Sequence, residues 1–178
     1  TVRSDANASG IEKGLELVTT EYVFLCHNDV AACHDEWMDY LVSKLDVNTP
    51  LVGVNTHDGV AHIIGVLVRT DIAKSVSMYP ELDVKDCGDD ITHYCVENNL
   101  NYFICQNTFN DSSLVEKIEL EEYRNLNSVT RILNDDYEVI YMHLARGADK
   151  AHNYYNKPNR MLLPDWIKFV NNVILSES

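Results

Sequence analysis

Glu21-Tyr22-Val23-Phe24-Leu25-Cys26-His27-Asn28-Asp29 is the stretch on which the fold turns. Tyr22 to Cys26 is an apolar run of strand length, and it stops abruptly at three polar residues able to bind metal or phosphate. Upstream, Ile11, Leu15 and Val18 recur at helical spacing within residues 6–19. Downstream, the segment Asp35–Leu45 places Trp37, Tyr40, Leu41 and Leu45 on one helical face. The stretch therefore reads as a buried strand held between two helices, delivering a carboxylate to its C-terminal end.

The same reading continues along the chain. Leu51–Val54 is a short apolar run between Pro50 and the loop-like Asn55-Thr56-His57-Asp58-Gly59, and Ile63–Val68 reads as a third strand. A helix is predicted over Asp89–Asn98, closed by Asn98-Asn99, before a strand over Tyr102–Cys105. Residues 114–134 read as helical, Tyr137–Met142 as a strand, and Pro164 as the start of a last helix with Trp166, Val170, Val173 and Ile174 on its apolar face. Alternating strands and helices predict an α/β fold with a mainly parallel sheet, helices on both faces, and sites beyond the C-terminal strand ends. Cys26, closing its strand, is expected to point into the core.

Composition bounds the function. A chain of 178 residues fits one domain, and no repeat or interdomain linker breaks it, so a single domain is expected over 1–178. A net charge of -14, with the basic residues Arg146, Lys150, Lys157, Arg160 and Lys168 spaced apart, argues against a nucleic-acid or anionic-lipid surface. Five cysteines at irregular spacing do not make a disulfide framework, and with no transmembrane run or signal layout a cytoplasmic location is expected. Cys26-His27 and Cys33-His34 miss the usual zinc spacings, and His57 with His62 makes no better pair.

The flanks of His27-Asn28-Asp29 resemble the D-x-D region of GT-A, family 2-like glycosyltransferases. There a strand opening with Glu-Tyr ends in an acidic motif, a Trp-containing helix follows, and a glycine-bearing helix precedes, as Gly10-Ile11-Glu12-Lys13-Gly14 does here. Only the last Asp of D-x-D is kept, as Asp29. Ala61-His62-Ile63-Ile64-Gly65-Val66-Leu67-Val68-Arg69-Thr70-Asp71 is similar to the family's Gly-containing strand with a basic-acidic end, and Asp89-Asp90 stands where the family carries Glu-Asp.

This resemblance implies a GT-A-like Rossmann-type mixed sheet flanked by helices, with the motifs spread over residues 7–147 and a helical extension over 148–178. The chain opens at Thr1 and not Met, so a fragment lacking the first nucleotide-binding strand is expected. The implied reaction is inverting transfer of a sugar from a nucleoside diphosphate, most readily a UDP-sugar, to a hydroxyl of a glycan, lipid or protein. Asp90 is the first choice as general base and Asp89 the alternate. Asn28, Asp29, Gly65 and Arg69 are the expected donor contacts. Asp29, His27 and a C-terminal His, best met by His143 with His152 as the fallback, are the expected ligands of Mn²⁺ or Mg²⁺. The rival reading is a noncatalytic carbohydrate- or nucleotide-binding remnant. A nucleotidyltransferase lacks support, since no Gly-rich basic phosphate loop is present.

Overall fold

In a computed structural model the chain is described at residues 2–55, 59–81, 84–144 and 161–174. The described residues form a mixed α/β fold with two four-stranded sheets and several helices. Two units are distinguished, Thr1–His27 with Asp39–Cys105, and Asn28–Met38 with Gln106–Ser178. No helix among the described residues is long and apolar enough to cross a membrane.

The sheet of the first unit runs in the order β1 (Tyr22–Leu25), β4 (Ala61–Arg69), β3 (Leu51–Asn55), β5 (Phe103–Ile104). Against the expectation of a mainly parallel sheet, β4 is antiparallel to both neighbours and only β3 and β5 run parallel. The reason lies in the short link from Asn55 to Ala61: it can close a hairpin, whereas a parallel crossover needs a dozen or more residues. The central strands are buried on both faces, which explains their unbroken apolar runs.

Helix α1 (Val2–Leu17) lays Ile11 and Leu15 of the stripe read in the sequence on this core, with Ala8 beside them, and Val18, the third stripe residue, packs there just beyond the helix end. Val23 of β1 packs there and Leu25 is buried in it. Strand side chains alternate, so Cys26, which follows Leu25, belongs to the opposite side and is exposed, not directed into the core as expected. Helix α4 (Asp89–Glu97) buries Ile91, Thr92 and Cys95. It ends in a Schellman arrangement: Leu100 N–H donates to the Cys95 carbonyl (2.8 Å), Asn99 N–H to that of Val96 (3.2 Å), and Asn99 is left-handed at φ 53°.

The second unit carries an antiparallel sheet in the order β2 (Val30–Ala32), β8 (Val139–Leu144), β7 (Val129–Leu133), β6 (Gln106–Asn107). The long helix expected over 114–134 is instead a 3-10 turn, Ser112–Lys117, a short helix α5 (Glu121–Arg124), and β7. Leu114, Ile118 and Tyr123 are buried at near-helical spacing, which imitates a helix, but the run Val129-Thr130-Arg131-Ile132, β-branched at Val129, Thr130 and Ile132, pairs as a strand. Helix α6 (Leu163–Phe169) opens one residue before the expected Pro164, which sits in its first turn, and Trp166 is buried in this unit's core, its ring stacked on Phe169 at 5.9 Å.

Candidate functional site

Asp29 stands directly before β2, and its carbonyl accepts the N–H of Leu144 at the end of β8 (3.0 Å). His143, the preceding residue of β8, pairs in register with Val30 of β2 and Thr130 of β7. These two strand contacts fix both backbones, and the side chains meet: His143 Nε2 lies 3.2 Å from Asp29 Oδ1. Their side chains are only 9% and 10% exposed, so the pair sits in a low-dielectric setting where each polar atom requires a partner. The sheet thus joins two of the three residues expected to hold a metal.

The third, His27, follows the end of β1 in the first unit, two residues before Asp29 in the chain. Its ring stands edge-on to that of His62 of β4, with centroids 5.5 Å apart. His62 Nδ1 accepts the Ile64 N–H (3.3 Å), which leaves the ring hydrogen on Nε2, and Nε2 faces Asp86 Oδ2 at 3.5 Å. The His62 contact, opposed by burial, holds the Asp86 carboxyl well below the usual carboxylate range, at about 2.

Asp86 begins the turn that leads into α4. Its N–H donates to Asp89 Oδ2 at 2.7 Å, and the Cys87 N–H donates to Asp86 Oδ1 at 2.7 Å. Gly88 makes the turn feasible, since its φ is +85° and a Cβ would lie 2.5 Å from Ile63 Cγ2. Burial pushes Asp89 up, with Asp86 as a further negative neighbour. Asp90 differs, for Lys85 Nζ bonds its Oδ2 at 2.5 Å and His93 Nδ1 lies 3.5 Å from its Oδ1. The turn therefore offers one carboxylate with raised proton affinity and one committed to an ammonium.

The other predicted contacts fall elsewhere. Asn28 is exposed beside Asp29, and Gly65 is buried in the middle of β4. Arg69 pairs with Tyr22, the first residue of β1, so it lies at the strand end opposite to that which His27 follows. At about 3.3 Å per residue, roughly 17 Å of extended chain separates the two ends. Its Nε is engaged with Asp71 Oδ1 at 2.6 Å. His152 lies outside the described residues. All five cysteines are free thiols, and burial pushes Cys33 up to about 12 and Cys87 to about 11, which leaves both protonated at neutral pH.

The donor set at Asp29 and His143 fits a divalent cation. Neighbouring ligands of an octahedral ion at about 2.1 Å lie about 3.0 Å apart, close to the separation of Nε2 and Oδ1. A direct hydrogen bond has the same length, so distance alone serves both states. No protein family, curated protein or solved structure matches the chain.

Sequence reasoning missed His62, Asp86, Lys85 and His93. His62 was weighed only against His57 as a zinc pair, and its place at the start of the Gly-containing strand was the available signal. Asp86 was legible as the first carboxylate of Asp86-Cys87-Gly88-Asp89, a glycine turn with an acidic residue on either side.

Proposed function

We propose that the chain is the catalytic part of an inverting glycosyltransferase that moves a sugar from a nucleoside diphosphate, a UDP-sugar in the first instance, to an acceptor hydroxyl. The observation that carries this reading is the contact between Asp29 and His143. The resemblance nominated both as metal ligands from motif order, and they meet at 3.2 Å although separated by most of the chain. The mixed sheet with α1 before β1 and α4 after the acidic turn is consistent with a GT-A-like arrangement, which belongs to the same proposal.

In this reading Asp29 and His143 would hold Mn²⁺ or Mg²⁺, whose positive charge would offset the charge gained by the leaving diphosphate. The acceptor oxygen attacks the anomeric carbon as the bond to the diphosphate breaks, and its proton passes to a carboxylate. Asp89 suits that role better than Asp90. Its affinity for a proton is raised by burial, and only Oδ2 is taken by the Asp86 N–H. Asp90 Oδ2 is occupied by the Lys85 ammonium, and its Oδ1 faces His93. Direct displacement with one base gives inversion.

The Lys85–Asp90 ion pair also favours a second reading, a noncatalytic nucleotide- or carbohydrate-binding protein in which the acidic turn is structural. Calorimetric titration with UDP, with and without Mn²⁺, separates the cases when followed by a turnover assay. Metal-dependent binding, lost in Asp29→Ala and His143→Ala, together with UDP release that falls in Asp89→Asn, is expected. Binding without turnover would favour the second reading, and absence of metal-dependent binding would remove the first.

A further inference from the structure

His62 touches two of the motifs at once. Its ring edge meets that of His27 after β1, and its Nε2 faces Asp86 in the turn that carries Asp89 and Asp90. The cause is an irregularity of β4. The register with β3 passes from Gly53↔Val66 to Val54↔His62, so β4 holds three more residues than β3 at this point. Pairing with β1 ends at Leu25↔Val66, before Ile64 is reached. The Ile64 N–H is taken by His62 Nδ1. That bond fixes the tautomer and turns Nε2–H towards Asp86.

Two further links tie the same end of β4 to α4. Thr92 Oγ1 accepts the buried Ala61 N–H at 3.0 Å, and Gly88 approaches Ile63 so closely that no side chain fits between them. The first turn of α4 is thus located by Ala61, His62 and Ile63 in succession. Of the three, only His62 reaches the loop side, where the Asp86 N–H holds one oxygen of Asp89.

We infer that His62 is a positioning residue which, through Asp86, fixes the carboxylate of Asp89 for proton transfer. The inference rests on the glycosyltransferase reading for its consequence, but not for its geometry. Ordering the turn through the Asp86 N–H occupies Oδ2 of Asp89, whereas Asp90 is bonded directly to the Lys85 ammonium.

Three variants of the full chain separate the two bonds of the imidazole. His62→Phe removes both. His62→Asn retains an acceptor near Nδ1 for Ile64 but does not reach Asp86, whereas His62→Gln places a donor near Nε2. Amide exchange by NMR is the first readout. Exchange at Asp86 is expected to rise by about tenfold or more in the Phe and Asn variants and to return towards wild type in Gln, while Ile64 remains protected in Asn. UDP release from UDP-glucose, UDP-galactose and UDP-N-acetylglucosamine with Mn²⁺ is the second. There kcat is expected to fall by about tenfold or more in Phe and Asn at little-changed KM, with recovery in Gln. Unchanged exchange at Asp86 in His62→Phe, or equal behaviour of Asn and Gln, would overturn the inference. If the wild-type chain releases no UDP, the reading of the reaction fails, and the exchange measurements alone decide whether His62 holds the turn.

Discussion

Replacing Arg131 is the sharpest test of how the second unit holds His143 in place. Arg131 is 4% exposed, and its guanidinium bonds to four backbone carbonyls. Nε donates to Tyr123 O (2.7 Å), Nη1 to Val129 O (2.7 Å), and Nη2 to Arg124 O (3.0 Å) and Leu126 O (2.6 Å). Burial lowers its pKa to about 10, so the group remains charged at neutral pH and its desolvation costs about 3 kcal/mol. Four charge-assisted bonds at about 1.5 kcal/mol or more each outweigh that cost. Arg131→Met removes the charge and the bonds together and leaves carbonyls of Tyr123 and Val129, both buried residues, to find other donors. Part of the segment is exposed and can take up water, so a net loss of about 3–5 kcal/mol is expected, not the full sum. Arg131→Lys, with three donors at one point, should lose about half as much. Urea unfolding followed by circular dichroism measures both. Because Thr130, the neighbour of Arg131, pairs with His143, any metal-dependent UDP binding should weaken in parallel. A loss under about 1 kcal/mol in Arg131→Met would refute the reasoning, since it would mean that water replaces the guanidinium at little cost.

Two further outcomes follow from the acidic turn. Gly88→Ala should lose about 1–3 kcal/mol in urea unfolding, because the backbone is left-handed at φ +85° and the new Cβ meets Ile63 Cγ2 at 2.5 Å; a neutral substitution would show that the turn relaxes freely. The Asp86 carboxyl, at about 2 in the folded chain, lies below its unfolded value, so its contribution is complete above roughly pH 4 and is lost as pH falls towards 2. Its side chain is 53% exposed, so solvent screening reduces that contribution to about 1 kcal/mol or less. Stability of His62→Phe relative to wild type should therefore converge as pH falls to about 2 in acid titrations of urea midpoints, and a pH-independent difference would rule out the His62–Asp86 contact as its source.

The elements with one dominant periodicity were legible. The stripe of Ile11, Leu15 and Val18, the run of β1 and a helix opening around Pro164 needed no tertiary information. Strand direction was not legible, because apolar runs in β3 and β4 look alike whether their partners run parallel or antiparallel; the brevity of the Asn55–Ala61 link was the only clue. The segment 114–134 failed for a related reason. Leu114, Ile118 and Tyr123 face one core from a 3-10 turn, a loop and a short helix, and their spacing cannot distinguish that path from one continuous helix.

The site divides in the same way. Asp29 is nominated by a local feature, the polar stretch that follows an apolar run, whereas His143 is nominated only through motif order, since nothing near it in sequence reveals that β8 pairs with β2. His62 was missed because its role depends on a register shift between β3 and β4, and register is a property of two strands that neither strand states alone. The consequence is a rule for reading the remaining carboxylates. Asp89 and Asp90 are adjacent in sequence and equivalent by composition, yet one accepts a backbone N–H and the other an ammonium. The two carboxylates are therefore distinguished by these partners, and it is the partners that favour Asp89 over Asp90 as the base in the proposed reaction. If Asp90→Asn abolishes UDP release while Asp89→Asn leaves it within about threefold, that assignment is wrong and the Lys85 pair is broken in the working site.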